Sequence, residues 1–129
     1  MILVNTWKTV VLERYAKFDG RAGRAEFWWF YLATVLLFIA AWIVALILGA
    51  IADFLGVIAI IALVGLYLAL IVPNIAVTIR RLHDTNKTGW FILIGLIPFV
   101  GGIILLVILA TVGNAGANDY GPPEPAIAA

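Results

Sequence analysis

The stretch FWWFYLATVLLFIAAWIVALILGAIADFLGVIAIIALVGLYLALIVPNIAVTIRR, residues 27–81, decides the fold. Before its closing pair, Arg80 and Arg81, it carries one charged residue, Asp53. Asp53 divides it into two charge-free runs, 27–52 and 54–79. A helix of about 20 such residues already covers the roughly 30 Å hydrocarbon core of a bilayer, so each run predicts a membrane-spanning helix. The turn around Gly49, Asp53 and Gly56 is too short for anything but an antiparallel pair. A third apolar stretch runs from Trp90 to Val112. Beyond it Gly113, Asn114, Gly116 and Asn118 lower helical propensity and lead into a Pro-rich tail. The expectation is an all-α integral membrane three-helix bundle with spans 27–52, 54–79 and 90–112.

Composition points the same way. The 129 residues are 65% hydrophobic with mean hydropathy +1.15, and 12% are charged, against about a quarter in soluble domains. This length supports one domain. A net charge of +1 gives no basic surface for nucleic acid, and the absence of cysteine excludes disulfides and thiolate chemistry. Residues 1–26 read as a cytoplasmic leader and turn rather than a cleaved signal, because Lys8, Glu13, Arg14, Lys17, Asp19, Arg21, Arg24 and Glu26 precede a run too long for a signal core. Within the leader, Val4, Trp7, Val11, Leu12, Tyr15 and Phe18 recur at helical spacing with Lys8, Arg14 and Lys17 elsewhere, which predicts an interfacial amphipathic helix.

Orientation follows from the cations. All eight Lys and Arg lie before the first span or between the second and third. The positive-inside rule then places the N-terminus and residues 80–89 in the cytoplasm, and Asp53 and the tail, 113–129, outside. Trp28, Trp29 and Trp90 fall where aromatic rings settle at the cytoplasmic interface.

Nearly all polar chemistry gathers at that face, in FDGRAGRAEFWWF, residues 18–30, and RRLHDTNKTGW, residues 80–90. Gly23 with Glu26 three residues on reads as a helix start. At the membrane edge Glu26 also invites charge-assisted hydrogen bonds from Arg80 or Arg81, since an unpaired carboxylate there is costly. Arg80, Arg81 and Lys87 suit anionic headgroups. His83 beside Asp84 falls short of the three or four ligands of a zinc site. No nucleophile–base pair, phosphate loop or cofactor motif is visible. Inside the spans, Thr34, Asn74, Thr78 and Thr111 are the polar content, with no ionisable group for a proton or ion path. Pro73 predicts a kink whose freed carbonyls Asn74 or Thr78 can help satisfy, and Pro98 with Gly101 and Gly102 predicts a bend in the third span.

The two motifs above, together with the closing NDYGPP, resemble a bacterial inner-membrane family known as domain of unknown function 805, over residues 18–123. Gly23 stands where that family often has Ser, and Asn86 where it often has Gly. The resemblance implies a small multi-pass protein of the bacterial inner (plasma) membrane with no established activity. Joined to the residues, it gives the expectation of a non-enzymatic membrane component needing no cofactor or metal. Its cluster of Arg21, Arg24, Glu26, Arg80, Arg81, His83 and Asp84 would hold the bundle together and engage anionic lipid, a protein partner or a second copy. The alternative is a subunit of an oligomeric channel or transporter.

Overall fold

The computed structural model describes residues 1–125 and 127. Its elements are helix α1 (Ile2–Lys8) prolonged by a π-helical turn (Thr9–Glu13), α2 (Arg24–Ile51), α3 (Asp53–Asp84), a 3₁₀ helix (Gly89–Leu96) and α4 (Gly101–Ala110). No strand occurs among the described residues, and the all-α class read from the sequence holds.

At 28 and 32 residues, α2 and α3 are about 42 and 48 Å long, more than a hydrocarbon core requires. Core helices of soluble proteins can pass a length test, but they are buried. Here only 6% and 11% of the most apolar windows of α2 and α3 are covered by the rest of the chain, so their surfaces suit acyl chains rather than water. One extended residue, Ala52, joins them. The hairpin closes because a side chain is missing from both helices: a Cβ on Gly56 would stand 2.9 Å from the Cα of Gly49.

Pro73 lies inside α3 and cannot donate to the carbonyl of Ala69. The hydroxyl of Tyr15 donates there instead, at 2.6 Å, tying the leader to mid-α3. Asn74 Nδ2 donates to the Leu70 carbonyl and Thr78 Oγ1 to that of Asn74, both at 2.7 Å. α1 lies across α2. Ile2 and Thr6 face its start at Gly23–Glu26, while Leu3, Val4 and Trp7 face Ala33, Leu36 and Leu37, about 14 Å further along the axis. The buried apolar core sits at this end of the molecule, where Val10, Ala22, Phe27, Phe30, Val77, Leu82 and Leu109 meet.

The third apolar stretch departs from a straight span. The 3₁₀ helix ends at Leu96, Pro98 breaks the ladder, Phe99 takes a left-handed φ of 67°, and α4 starts in a new direction. Its ten residues rise about 15 Å, half the hydrocarbon thickness. Gly101 permits the reversal, since any side chain there would collide with the Ile94 carbonyl and Ile97. The stretch thus folds back on itself as a helical hairpin. It does not form the single straight helix expected over 90–112, and it carries the described part of the tail, expected on the far side, back toward the end of α3. The described tail residues lie at the charged end, where Asn114 N–H donates to the Asp84 carbonyl at 2.9 Å. The physical cause is the buried arginines, which need acceptors that α4 and the tail supply.

Candidate functional site

Arg21, Arg80 and Arg81 are at most 1% exposed, and the carboxylates within reach are Glu26 and Asp84, both 7% exposed. Burying three cations with two anions is tolerable only if the remaining N–H groups find strong acceptors. All but Arg80 Nη2 find carboxylates or backbone carbonyls.

Asp84, at the end of α3, receives Arg21 Nε on Oδ1 at 2.9 Å and Arg81 Nη1 on Oδ2 at 2.6 Å. Arg21 also donates to the carbonyls of Asn114 (2.6 Å), Gly116 (2.8 Å) and Gly121 (3.1 Å), gathering the tail around one guanidinium. Arg81 Nε donates to the Leu109 carbonyl at 2.8 Å and Nη2 to that of Thr111. Arg81 thereby caps the C-terminal end of α4, where carbonyls lack helical donors and a cation meets a favourable dipole. Gly113 must be glycine, because a Cβ would overlap the Asp84 carboxylate.

Glu26 accepts from Arg80 Nη1 at 2.6 Å and from Arg14 Nη1 at 2.7 Å, and Arg14 turns its other nitrogen to Glu124 at 2.8 Å. Arg80 Nε donates to the Lys17 carbonyl at 3.0 Å, while its Nη2 is buried without a partner among the described residues. The leader, α2, α3 and the tail are thus joined by two carboxylate nodes, one at Glu26 and one at Asp84. Arg81 belongs to the second node and does not reach Glu26.

His83 is 8% exposed. Its Nδ1 faces the Gly20 carbonyl at 2.9 Å, and since a carbonyl only accepts, that nitrogen carries the proton. Tyr120 stacks on the ring with centroids 3.9 Å apart and planes within 3°. Asn118 Nδ2 donates to the His83 carbonyl at 2.9 Å. Asn86, in the turn after α3, takes φ 59°, a conformation asparagine tolerates and glycine adopts freely. Among the described residues no three His, Asp or Glu side chains converge as a metal site requires.

Arg24 stands apart from the lattice. It is exposed, with no ion pair among the described residues, at the start of α2. Trp28 packs edge-on against Phe27 (4.9 Å) and Tyr31 (5.7 Å), whereas Trp29 and Trp90 are 37% and 78% exposed. Sequence reasoning missed Arg14, Tyr15, Asn118, Tyr120 and Glu124 as members of this end. For Asn118 and Tyr120 the visible signal was the closing NDYGPP; Arg14, Tyr15 and Glu124 carry no local pattern that marks them.

The fold and this end define a class: a small helical membrane protein in which a long apolar hairpin is tied at one end by buried arginines. The chain belongs to the family described as protein of unknown function (DUF805), whose model matches residues 15–122. It is similar to inner membrane protein YhaI of Escherichia coli (strain K12), 39% identical over 116 residues, which are 89% of this chain and 92% of that protein. It is likewise similar to inner membrane protein YhaH of the same strain, 36% identical over 117 residues, 90% of this chain and 93% of that one. No solved structure matches the chain. The family match takes in both carboxylate nodes and Tyr15, and leaves α1, Arg14 and Glu124 outside.

Proposed function

We propose that the protein is a non-enzymatic component of the bacterial inner membrane that works by binding lipid, anionic lipid by preference, with its charged end in the cytoplasm. The names of its Escherichia coli relatives support the compartment. The confinement of all eight Lys and Arg to one end of the α2–α3 hairpin supports the orientation. The observation that carries the reading is how the polar groups are used. Arg21, Arg80, Arg81, Glu26 and Asp84, the groups on which chemistry would draw, each hold one part of the chain against another, while the flanks of α2 and α3 stay uncovered. A molecule so organised presents surface to its surroundings rather than a reaction centre.

Native mass spectrometry of the full chain released from mild detergent tests this. One or more retained phospholipids are expected, enriched in anionic species over the bulk extract. A chain that flies free of lipid at the lowest activation energy contradicts it.

A second reading, a subunit of an oligomeric channel or transporter, draws on one feature. A groove of about 700 Å³ between α2 and α3 is lined by Thr34, Asn74 and Tyr67 among apolar neighbours, and the Thr34 hydroxyl is buried there without a partner among the described residues. A second copy would supply one, and a defined oligomer with ion conductance in liposomes would favour this reading over the first.

A further inference from the structure

The pocket between α1, the start of α2 and the tail has a composition the lattice does not explain. It encloses about 410 Å³ and is walled by Ile2 and Thr6 from α1, by residues 23–26 and Trp29 from α2, and by Glu124, Pro125 and Ile127 from the tail.

Three observations meet there. The residue that precedes α2 at its N-cap is Gly23, which brings no side chain to cap it. The Phe27 amide bonds to the Gly23 carbonyl at 3.1 Å, so the amides of Arg24, Ala25 and Glu26 precede the helical ladder at the positive end of a 28-residue dipole. Arg24 is an exposed guanidinium in the same wall, with no carboxylate of its own among the described residues. Thr6 is 1% exposed, and its hydroxyl, buried in the wall, has no hydrogen-bond partner among the described residues. A buried hydroxyl is seldom left unsatisfied. Free amides, a dipole, a guanidinium and a spare hydroxyl together form the donor set that a tetrahedral anion uses.

We propose that this pocket receives a phosphate ester, either the headgroup of a phospholipid or a free phosphate of the same chemistry. The site rests on the lipid-binding reading above and gives it an address. Trp29 at the rim marks headgroup depth, and Ile2, Pro125 and Ile127 offer an apolar wall to the carbon next to the phosphate. Glu26 and Glu124 also line the pocket, but Arg14 holds both, at 2.7 and 2.8 Å, and Arg80 holds Glu26 as well. Of the two, Glu124 lies on the tail and, among the described residues, pairs with Arg14 alone. It is therefore the anion with which an incoming phosphate competes.

The test uses full-length protein in maltoside micelles, so that the surroundings carry no phosphate. Phosphatidylglycerol, a glucosyl diacylglycerol lacking phosphate, and sodium phosphate are titrated separately, with adducts counted by native mass spectrometry. Phosphatidylglycerol is expected to give one tight adduct and the glycolipid none. Arg24→Gln and Thr6→Val each weaken that adduct about tenfold, as loss of a donor to a charged group would. Glu124→Gln tightens it. Circular dichroism and thermal midpoint verify that each variant is folded. Displacement of the lipid by sodium phosphate identifies the free anion as the ligand of the same site. Retained phosphatidylglycerol that none of the three substitutions alters overturns the site and leaves the lipid-binding reading standing. Absence of every adduct from the wild-type protein overturns both.

Discussion

The two ends of the α2–α3 hairpin are held by opposite means. At the charged end, buried guanidinium groups are shared between Glu26, Asp84 and carbonyls from three other segments. At the far end Asp53 is exposed, and the helices touch because Gly49 and Gly56 carry no side chains. Water supports neither arrangement alone. A membrane protein gains little from burying apolar surface against itself, since lipid tails are equally apolar, so it relies on polar ties where charge is available and on close backbone packing where it is not.

Breaking a carboxylate node should have the largest effect. Asp84→Ala leaves Arg21 and Arg81 buried without an anion and is expected to cost about 3–5 kcal/mol. The loss would appear as a large drop in thermal midpoint in maltoside micelles and release of the tail to limited proteolysis. The same substitution at the far end, Asp53→Ala, removes only an exposed charge from the first turn of α3 and should cost below about 1 kcal/mol. Equal losses at the two ends would erase the contrast between them.

Next comes the glycine contact, which is asymmetric. A methyl on Gly56 meets the Gly49 backbone at 2.9 Å, whereas one on Gly49 meets Gly56 at an ordinary 3.6 Å. Gly56→Ala should therefore cost about 1–3 kcal/mol by forced separation, and Gly49→Ala distinctly less. A pair of equal unfolding midpoints would show that the helices do not meet there. Smaller still is the tie between the ends: Tyr15→Phe should cost about 1 kcal/mol by orphaning the Ala69 carbonyl. Pro73→Ala restores an amide to that carbonyl, so in its background Tyr15→Phe should cost almost nothing, a coupling that a double-mutant cycle reads directly. Least of all, Glu124→Gln weakens a partly exposed pair with Arg14 and should change stability by about 0.5 kcal/mol.

The sequence made the hairpin legible because its signal is local. Charge-free runs on either side of Asp53 and small residues at the turn need no knowledge of the rest of the chain. The placement of Arg21, Arg80, Arg81, His83 and Asp84 at one end was legible for the same reason. The direction of the third stretch was not. A window over 90–112 reads as uniformly apolar, and only the crowding at Pro98, Phe99 and Gly101 turns it back. The force behind the return is long-range: Arg21 reaches carbonyls about a hundred positions ahead, at Gly116 and Gly121. No periodicity encodes which arginine will be buried or which carbonyl will accept from it. The fit of Tyr15 to the carbonyl freed by Pro73 is likewise invisible until the leader folds back along α3.

From the fold-back of the third stretch we infer that 90–112 enters the membrane and returns, so that residues 16 and 115 share a side and Asp53 faces the other. The chain lacks cysteine, so Ala16→Cys, Asp53→Cys and Ala115→Cys, all at exposed positions, give clean single-thiol proteins. With a membrane-impermeant maleimide applied to cells and to inverted vesicles, positions 16 and 115 should label only in the inverted vesicles and position 53 only in the cells. Labelling of position 115 together with position 53 would mean that the third stretch crosses the membrane, and would contradict the account.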